Sequence, residues 1–353
     1  MEPVTHLLTG ACLGRAGFNR TTALATLTMT LAAEAPDLDV LFYAGGSVTG
    51  FAHHRGFTHS ILGAPITAAV VIAGVYGVYR FMQARGRPTK TPPNWKLLYL
   101  YAVLANLVHV FQDYTNNYGV RPFWPFYERW FSWDIVSILD PIMLLVMFAA
   151  LVTPGIFALI SEEVGDRRKA PRGRGAAIAA LLVLAGLIFV RAIEHRRAVN
   201  ALNSLTYREQ EPLRAAAFGH WINPFSWNGL VETRDFFQMM PVNSLAGEVD
   251  PKGAAFIRYK PEETPATLAA KKSRLGRVYL DWAGFPVVEA QRMSEGGGYL
   301  VHFADLRFYG SSVLGRRATT PLQAYVILDS QLNVVEEGMG RAPGESSAKE
   351  KVD

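Results

Sequence analysis

Five of the eight histidines fall before residue 110: His6, His53, His54, His59 and His109. Asp37, Asp39 and Asp113 share that stretch of chain. Imidazole together with carboxylate suits a borderline transition metal, Zn first with Mn or Fe next, better than it suits Ca or Mg. His109 and Asp113 are four residues apart, so on a helix they share one face. Asp37-Leu38-Asp39 puts two carboxylates at the end of an apolar run, where an ion can be gripped or bridged. His54-Arg55-Gly56-Phe57-Thr58-His59-Ser60 sets two imidazoles beside a fixed cation. The expected ligand set is His6, Asp37, Asp39, His54, His59, His109 and Asp113, enough for one to three divalent ions. A metal pair clamps both the attacking and the leaving oxygen in a hydrolysis. Arg55 and Asp113 are the expected catalytic groups, with Arg55 holding an anion such as a phosphate.

Each piece alone has a plainer explanation. A single histidine near a terminus is usually no ligand, and Asp-x-Asp often caps a helix. His109 and Asp113 can simply bond each other. The metal reading rests on all of them meeting in one place, so the elements that carry them decide it. His53 reads as a neighbour of His54, and His195, His220 and His302 have no partner pattern.

The 353 residues are 50% hydrophobic and 18% charged. Soluble domains average about 25% charged, so the balance leans towards a membrane. Long apolar runs fill residues 1–195, while the remainder reads as an ordinary soluble domain. Ile61–Met82, Ile135–Ile160 and Ala176–Ile193 are apolar enough to span, since a bilayer core needs about 20 helical residues. Leu97–Phe111 is shorter. Val4–Leu13 and Thr21–Ala35 read as a short helical hairpin packed among the longer helices.

Lys and Arg set the topology. Arg15 and Arg20, the loop Arg80–Lys96, and Arg167, Arg168, Lys169, Arg172 and Arg174 collect in alternate connections, which are cytoplasmic by the positive-inside rule. A six-helix path with both termini outside satisfies every loop; Arg191, Arg196 and Arg197 after the last helix are a misfit. His6, Asp37, Asp39, His54, His59, His109 and Asp113 then all fall at the outer face. Only Lys and Arg went into the path, so this convergence is partly independent support for one site.

The fold class is an α-helical integral membrane domain of about four to six helices, followed by a smaller β-rich soluble domain. The expected boundaries are 1–195 for the membrane domain, 196–340 for the soluble one and 341–353 for a disordered tail. Residues 196–218 read as a polar helix or linker. Strands are expected at Ala255–Tyr259, Arg277–Trp282, Tyr299–Phe303, Ala324–Leu328 and Leu332–Glu336, punctuated by Gly and Pro. Cys12 alone excludes an intramolecular disulfide. A cleavable signal peptide is not expected, because Met1-Glu2-Pro3 lacks a basic leader. Nucleic acid is excluded as a partner: the basic clusters serve topology and lack interleaved aromatics.

These motifs resemble the YdjM-type inner-membrane metal-dependent hydrolase family. The resemblance is carried by Pro3-Val4-Thr5-His6, Asp37-Leu38-Asp39, the His54–Ser60 block, and His109-x3-Asp113 followed by Asn117-Tyr118-Gly119-Val120. Ser132-Trp133-Asp134 and Leu139-Asp140-Pro141 add to it, and Asn223-Pro224-Phe225 and Asp305-Leu306-Arg307-Phe308 resemble the soluble domain of longer members. The resemblance implies a bound divalent metal and a hydrolase at a bacterial-type inner membrane. A more distant likeness to the zinc-dependent phospholipase C type of site favours a phosphoester. The expected activity is hydrolysis of a phosphoester or lipid-linked substrate by metal-activated water at the outer, periplasmic, membrane face, with the lipid bilayer as partner. Asp134 and Asp140 are candidates for orienting or capping groups, and Asp140-Pro141 reads first as a helix start. The rivals are a non-enzymatic scaffold with a structural metal, and a metal transporter, which would need ligands along a mid-membrane path.

Overall fold

The computed structural model describes residues 1–163, 173–294, 297–309 and 322–343. Arg167, Arg168, Lys169 and Arg172 lie outside the described residues, as does the tail from residue 344. The N-terminal region is helical: α1 (Pro3–Ala16), α2 (Ala25–Glu34), α3 (Ser47–His53), α4 (Gly63–Ala84), α5 (Trp95–Thr115), α6 (Pro141–Glu163) and α7 (Arg174–Asn203). The strands β1 (Arg214–Gly219), β2 (Ser226–Glu232), β3 (Phe236–Asn243), β4 (Glu248–Val249) and β5 (Phe256–Tyr259) follow. Then come α8 (Pro265–Lys272), α9 (Arg274–Trp282), β6 (Pro286–Arg292), β7 (Tyr299–Asp305), β8 (Ala324–Leu328) and β9 (Val334–Met339). Among the described residues, three helical stretches are long and apolar enough to cross a membrane: Gly63–Ala84, Pro141–Leu159 and Arg174–Asn203.

The chain divides into two compact units. The first comprises Met1–Asp39, Arg55–Gly229 and Met239–Ala255. Its helices meet largely through alanines: Ala32, Ala33, Ala68, Ala102 and Ala105, with the larger Met29, form a buried cluster from α2, α4 and α5. Gly10 and Gly14 let α1 lie directly on α2. A Cβ at Gly10 would strike the Met29 carbonyl and come within 2.8 Å of the Ala33 Cβ, and one at Gly14 would come within 2.6 Å of the Thr26 Cα. Such close backbone approach is how helices associate where the surrounding lipid gives little hydrophobic drive.

The apolar run from Ile135 becomes helical only at Pro141. Asp140 caps that helix, its Oδ1 accepting from Ile142 N at 3.0 Å and Met143 N at 3.1 Å. Its Oδ2 takes a 2.7 Å bond from Arg191 Nη2, and both side chains are fully buried. Arg191, out of place as a topology signal, is thus the partner of a buried carboxylate. Beyond Arg191, α7 continues to Asn203, so the first of the residues read as a polar helix or linker are helical. Glu194 accepts from Ser244 Oγ at 2.7 Å, and Ser244 accepts from Trp227 Nε1 at 3.1 Å.

The second unit comprises Val40–His54, Leu230–Gln238 and Phe256–Asp353. Its sheet runs β6-β7-β8-β9, antiparallel, with Val301 opposite both Ala290 and Val326. The other sheet of the chain is ordered β1-β2-β3-β4, with β5 on β3. Arg277–Trp282, expected as a strand, is helical within α9. Ser273 caps α9 through Gly276 N at 3.0 Å, and the buried Leu275, Tyr279 and Trp282 recur at helical spacing. Segment α3 belongs to this unit: Phe51 packs edge-on to Trp282 at 5.2 Å, and Ser47 Oγ accepts from Met339 N at 3.2 Å.

Candidate metal centre

Asp37, His59, His109 and Asp113 converge in the first unit. One ligand atom from each lies within 4.8 Å of all the others. Helix α5 supplies His109 and Asp113 from one face, as the four-residue spacing requires. Asp37 comes from the 3-10 segment Ala35–Gly45 that continues α2, and His59 from the short turn Phe57–His59 before α4.

The hydrogen bonds behind these ligands fix their chemistry. His109 Nδ1 lies 2.6 Å from the Ala33 carbonyl. A carbonyl only accepts, so Nδ1 holds the proton and Nε2 of the neutral ring keeps its lone pair. His59 Nδ1 lies 3.3 Å from Asp39 Oδ2 and 3.0 Å from Thr58 Oγ1, which turns its Nε2 towards His109. The two Nε2 atoms face each other at 3.0 Å. Asp37 Oδ1 is 3.3 Å from His59 Nε2 and 3.6 Å from that of His109. Asp113 Oδ2 is 3.3 and 3.4 Å from the same two atoms. With Zn–N and Zn–O bonds of about 2.0–2.2 Å, the edge of a tetrahedral ligand shell is about 3.3–3.5 Å, so these separations fit one small cation.

His6 follows the same pattern. Its Nδ1 sits 3.2 Å from Gln112 Oε1, and Gln112 is held the right way round because its Nε2 donates to Thr9 Oγ1 at 2.9 Å. Among the described residues, His6 Nε2 is buried without a hydrogen-bond partner, 3.4 Å from Asp113 Oδ1, and Asp113 Oδ2 also makes no hydrogen bond. The His6 ring stacks on His109 at 3.7 Å. A buried imidazole nitrogen and a buried carboxylate oxygen are costly left unpaired. The donor set Asp37, His59, His109 and Asp113 could hold a metal ion.

Asp39 lies behind His59 rather than among the converging ligand atoms. Its Oδ2 also accepts from Arg55 N at 2.7 Å, and Arg55 adopts a left-handed φ of 52° there. The buried Arg55 side chain puts Nη2 3.0 Å from Asp113 Oδ1, while Nη1 donates to Asn116 Oδ1 at 3.1 Å and to Gly119 O at 3.2 Å. Asn116 Nδ2 donates to Asp113 Oδ1 at 3.1 Å, and the Met1 amino group lies against the same oxygen. His54 caps α3 through its amide to Gly50 O, and His53 stacks on Phe42 at 4.7 Å; both belong to the second unit. Asp134 supplies its carbonyl to Gly219 N, and Asp140 is the helix cap described above.

Sequence reasoning missed Gln112 and Asn116. Both stand three residues after a ligand on α5, and that spacing was the signal available for them.

The fold and this site define a multi-helix membrane protein with a possible metal centre. Residues 1–198, more than half of the chain, match the family described as YdjM inner membrane protein, and the chain belongs to that family. The uncharacterized protein YfhP of Bacillus subtilis (strain 168) is 25% identical over 292 residues, covering 74% of this chain and 80% of YfhP. No solved structure matches the chain.

Proposed function

We propose that this protein is a membrane-bound metal-dependent hydrolase. It uses one divalent transition metal, Zn in the first place, held by Asp37, His59, His109 and Asp113 with His6 as a further ligand. The observation that carries the reading is the inward aim of three Nε2 atoms whose Nδ1 partners are all tied elsewhere. When bound, such an ion acts as a Lewis acid and lowers the pKa of a water molecule. The chain's own groups do the rest. Asp39, Ala33 O and Gln112 hold the three imidazoles in the ligating tautomer. Arg55 and Asn116 fix Asp113 Oδ1 and leave Oδ2 to the ion; the guanidinium beside Oδ1 disfavours a second cation there. Asp37, at 17% the one member of the four that is not fully buried, marks the side from which water would reach an ion.

The substrate class that suits the site is a phosphoester, soluble or lipid-borne, at the outer membrane face assigned by the charge pattern. A structural metal in a non-enzymatic scaffold is the second reading. The complete burial of His6, His59, His109 and Asp113 favours it, because structural sites are closed and catalytic ones keep an open position. Metal-loaded full-length protein should release product from a panel of soluble and lipid phosphoesters, and His109→Ala should lower that rate at least about 100-fold. Wild type that binds metal but turns over none of the panel would overturn the hydrolase in favour of the scaffold.

A further inference from the structure

The end of α1 remote from His6 carries a second cluster that the metal centre does not use. We propose that Arg15, Arg20 and Arg174, with Asn19, form a binding site for a phosphate-bearing anion, either the headgroup of an anionic lipid or a free phosphate. The four residues line a cavity of about 460 Å³. Small-ligand sites run from about 300 to 1,000 Å³, so a phosphate headgroup has room. Arg15 follows His6 by nine residues on α1, which at 1.5 Å per residue separates them by about 14 Å along the axis. The cavity is therefore distinct from the metal centre, and the proposal stands whether or not that centre is catalytic.

Three elements bring the guanidiniums together: the end of α1, the short turn Phe18–Arg20, and the start of α7. Two are anchored to backbone. Arg15 Nη1 donates to Leu151 O at 2.7 Å, and Arg174 Nε donates to Ala16 O at 2.9 Å across 158 residues of sequence. Each bond uses one of five guanidinium donors and leaves the others for a ligand. Among the described residues none of the three arginines pairs with a carboxylate. Three cations around one cavity repel one another, and an anion between them reverses the sign of that interaction. Guanidinium matches phosphate oxygens in a two-pronged hydrogen bond. Charge places this end of the bundle at the cytoplasmic leaflet, where anionic lipid is enriched.

The test uses the full-length protein in neutral detergent, titrated with short-chain phosphatidylglycerol, short-chain phosphatidylcholine or inorganic phosphate, and read by thermal unfolding. Phosphatidylglycerol should raise the unfolding temperature of wild type well above the effect of phosphatidylcholine. Arg20→Gln/Arg174→Gln should weaken that binding about tenfold or more. A matching effect of inorganic phosphate would identify a soluble phosphate as the source, and its absence would identify the lipid. Metal content equal to wild type shows that the variant is folded; should it fail that check, Arg20→Gln alone, at an exposed position, should still weaken binding, with Arg20→Lys restoring part of it. Equal affinity in wild type and a folded variant, or no preference of wild type for either anion over phosphatidylcholine, would overturn the proposal.

Discussion

His59 Nε2 and His109 Nε2 stand 3.0 Å apart, while the Nδ1 of His109 is held by the Ala33 carbonyl and that of His59 by Asp39 and Thr58. With Nδ1 protonated on both rings, the two Nε2 lone pairs would repel. Two carboxylate oxygens, from Asp37 and Asp113, complete the electron-rich wall around the same point. A cation would satisfy all four atoms at once, and the predictions below follow from how the surrounding residues hold them.

On the proposed reading, Asp39 acts on the ion through His59. Asp39→Asn keeps an acceptor for Arg55 N but removes the charge behind the imidazole, which makes Nε2 a weaker ligand. Metal affinity should fall about 10–100-fold with all ligands intact, measured by competition with a chromogenic chelator. Unchanged affinity would reduce Asp39 to a brace for the Arg55 backbone.

Gln112 tests His6 in the same way. Gln112→Ala should weaken metal binding by about tenfold, because His6 then loses the acceptor that fixes its tautomer. Gln112→Glu, which keeps an acceptor in place, should restore much of it. If only stability falls, by about 1 kcal/mol for the lost hydrogen bonds, His6 is a packing residue and no ligand.

The pair Asp140–Arg191 is structural. Arg191→Met leaves a buried carboxylate without its partner and should cost about 3–5 kcal/mol in reversible unfolding. Asp140→Asn in the same chain removes the stranded charge, keeps the cap and should recover part of the loss. Metal content should not change. A cost below about 1 kcal/mol for Arg191→Met would show that the carboxylate reaches water or is neutral.

Gly10 governs how closely α1 approaches α2. Gly10→Ala should cost about 1–3 kcal/mol, since the added methyl meets backbone rather than a flexible side chain. It should also weaken metal binding, because His6 rides on α1 while Ala33, which orients His109, ends α2. Loss of stability with unchanged metal affinity would separate the helix contact from the site.

Much of the helical region was legible because membrane helices announce themselves by apolar length. The runs from Ile61 and Ala176 become α4 and α7 to within a few residues at their starts. The run from Ile135 misled at its start, since Ile135–Leu139 is as apolar as the helix that Asp140 goes on to cap. Charge counting treated Arg191 as an anomaly because its partner is 51 residues away, and no local pattern links the two. Arg277–Trp282 looked like a strand for its aromatic and β-branched residues; the Ser273 cap and the Leu275/Tyr279/Trp282 spacing carried the helical signal. In the metal centre, types and spacing pointed to the imidazoles and carboxylates, because such groups are expensive near a bilayer unless they are used. The residues behind them, Gln112 and Asn116, are ordinary amides in sequence and acquire their roles only when α1 and the turn holding Arg55 fold against α5.

The most direct test of the account is the metal content of the detergent-purified full-length protein by elemental mass spectrometry, wild type beside His59→Ala and His109→Ala. The account predicts about one equivalent of a divalent transition metal per wild-type chain, before or after incubation with Zn or Mn, and a large loss in both variants. Folded wild type that holds no metal after such incubation would contradict it, and the three imidazoles would then be a buried hydrogen-bonding cluster.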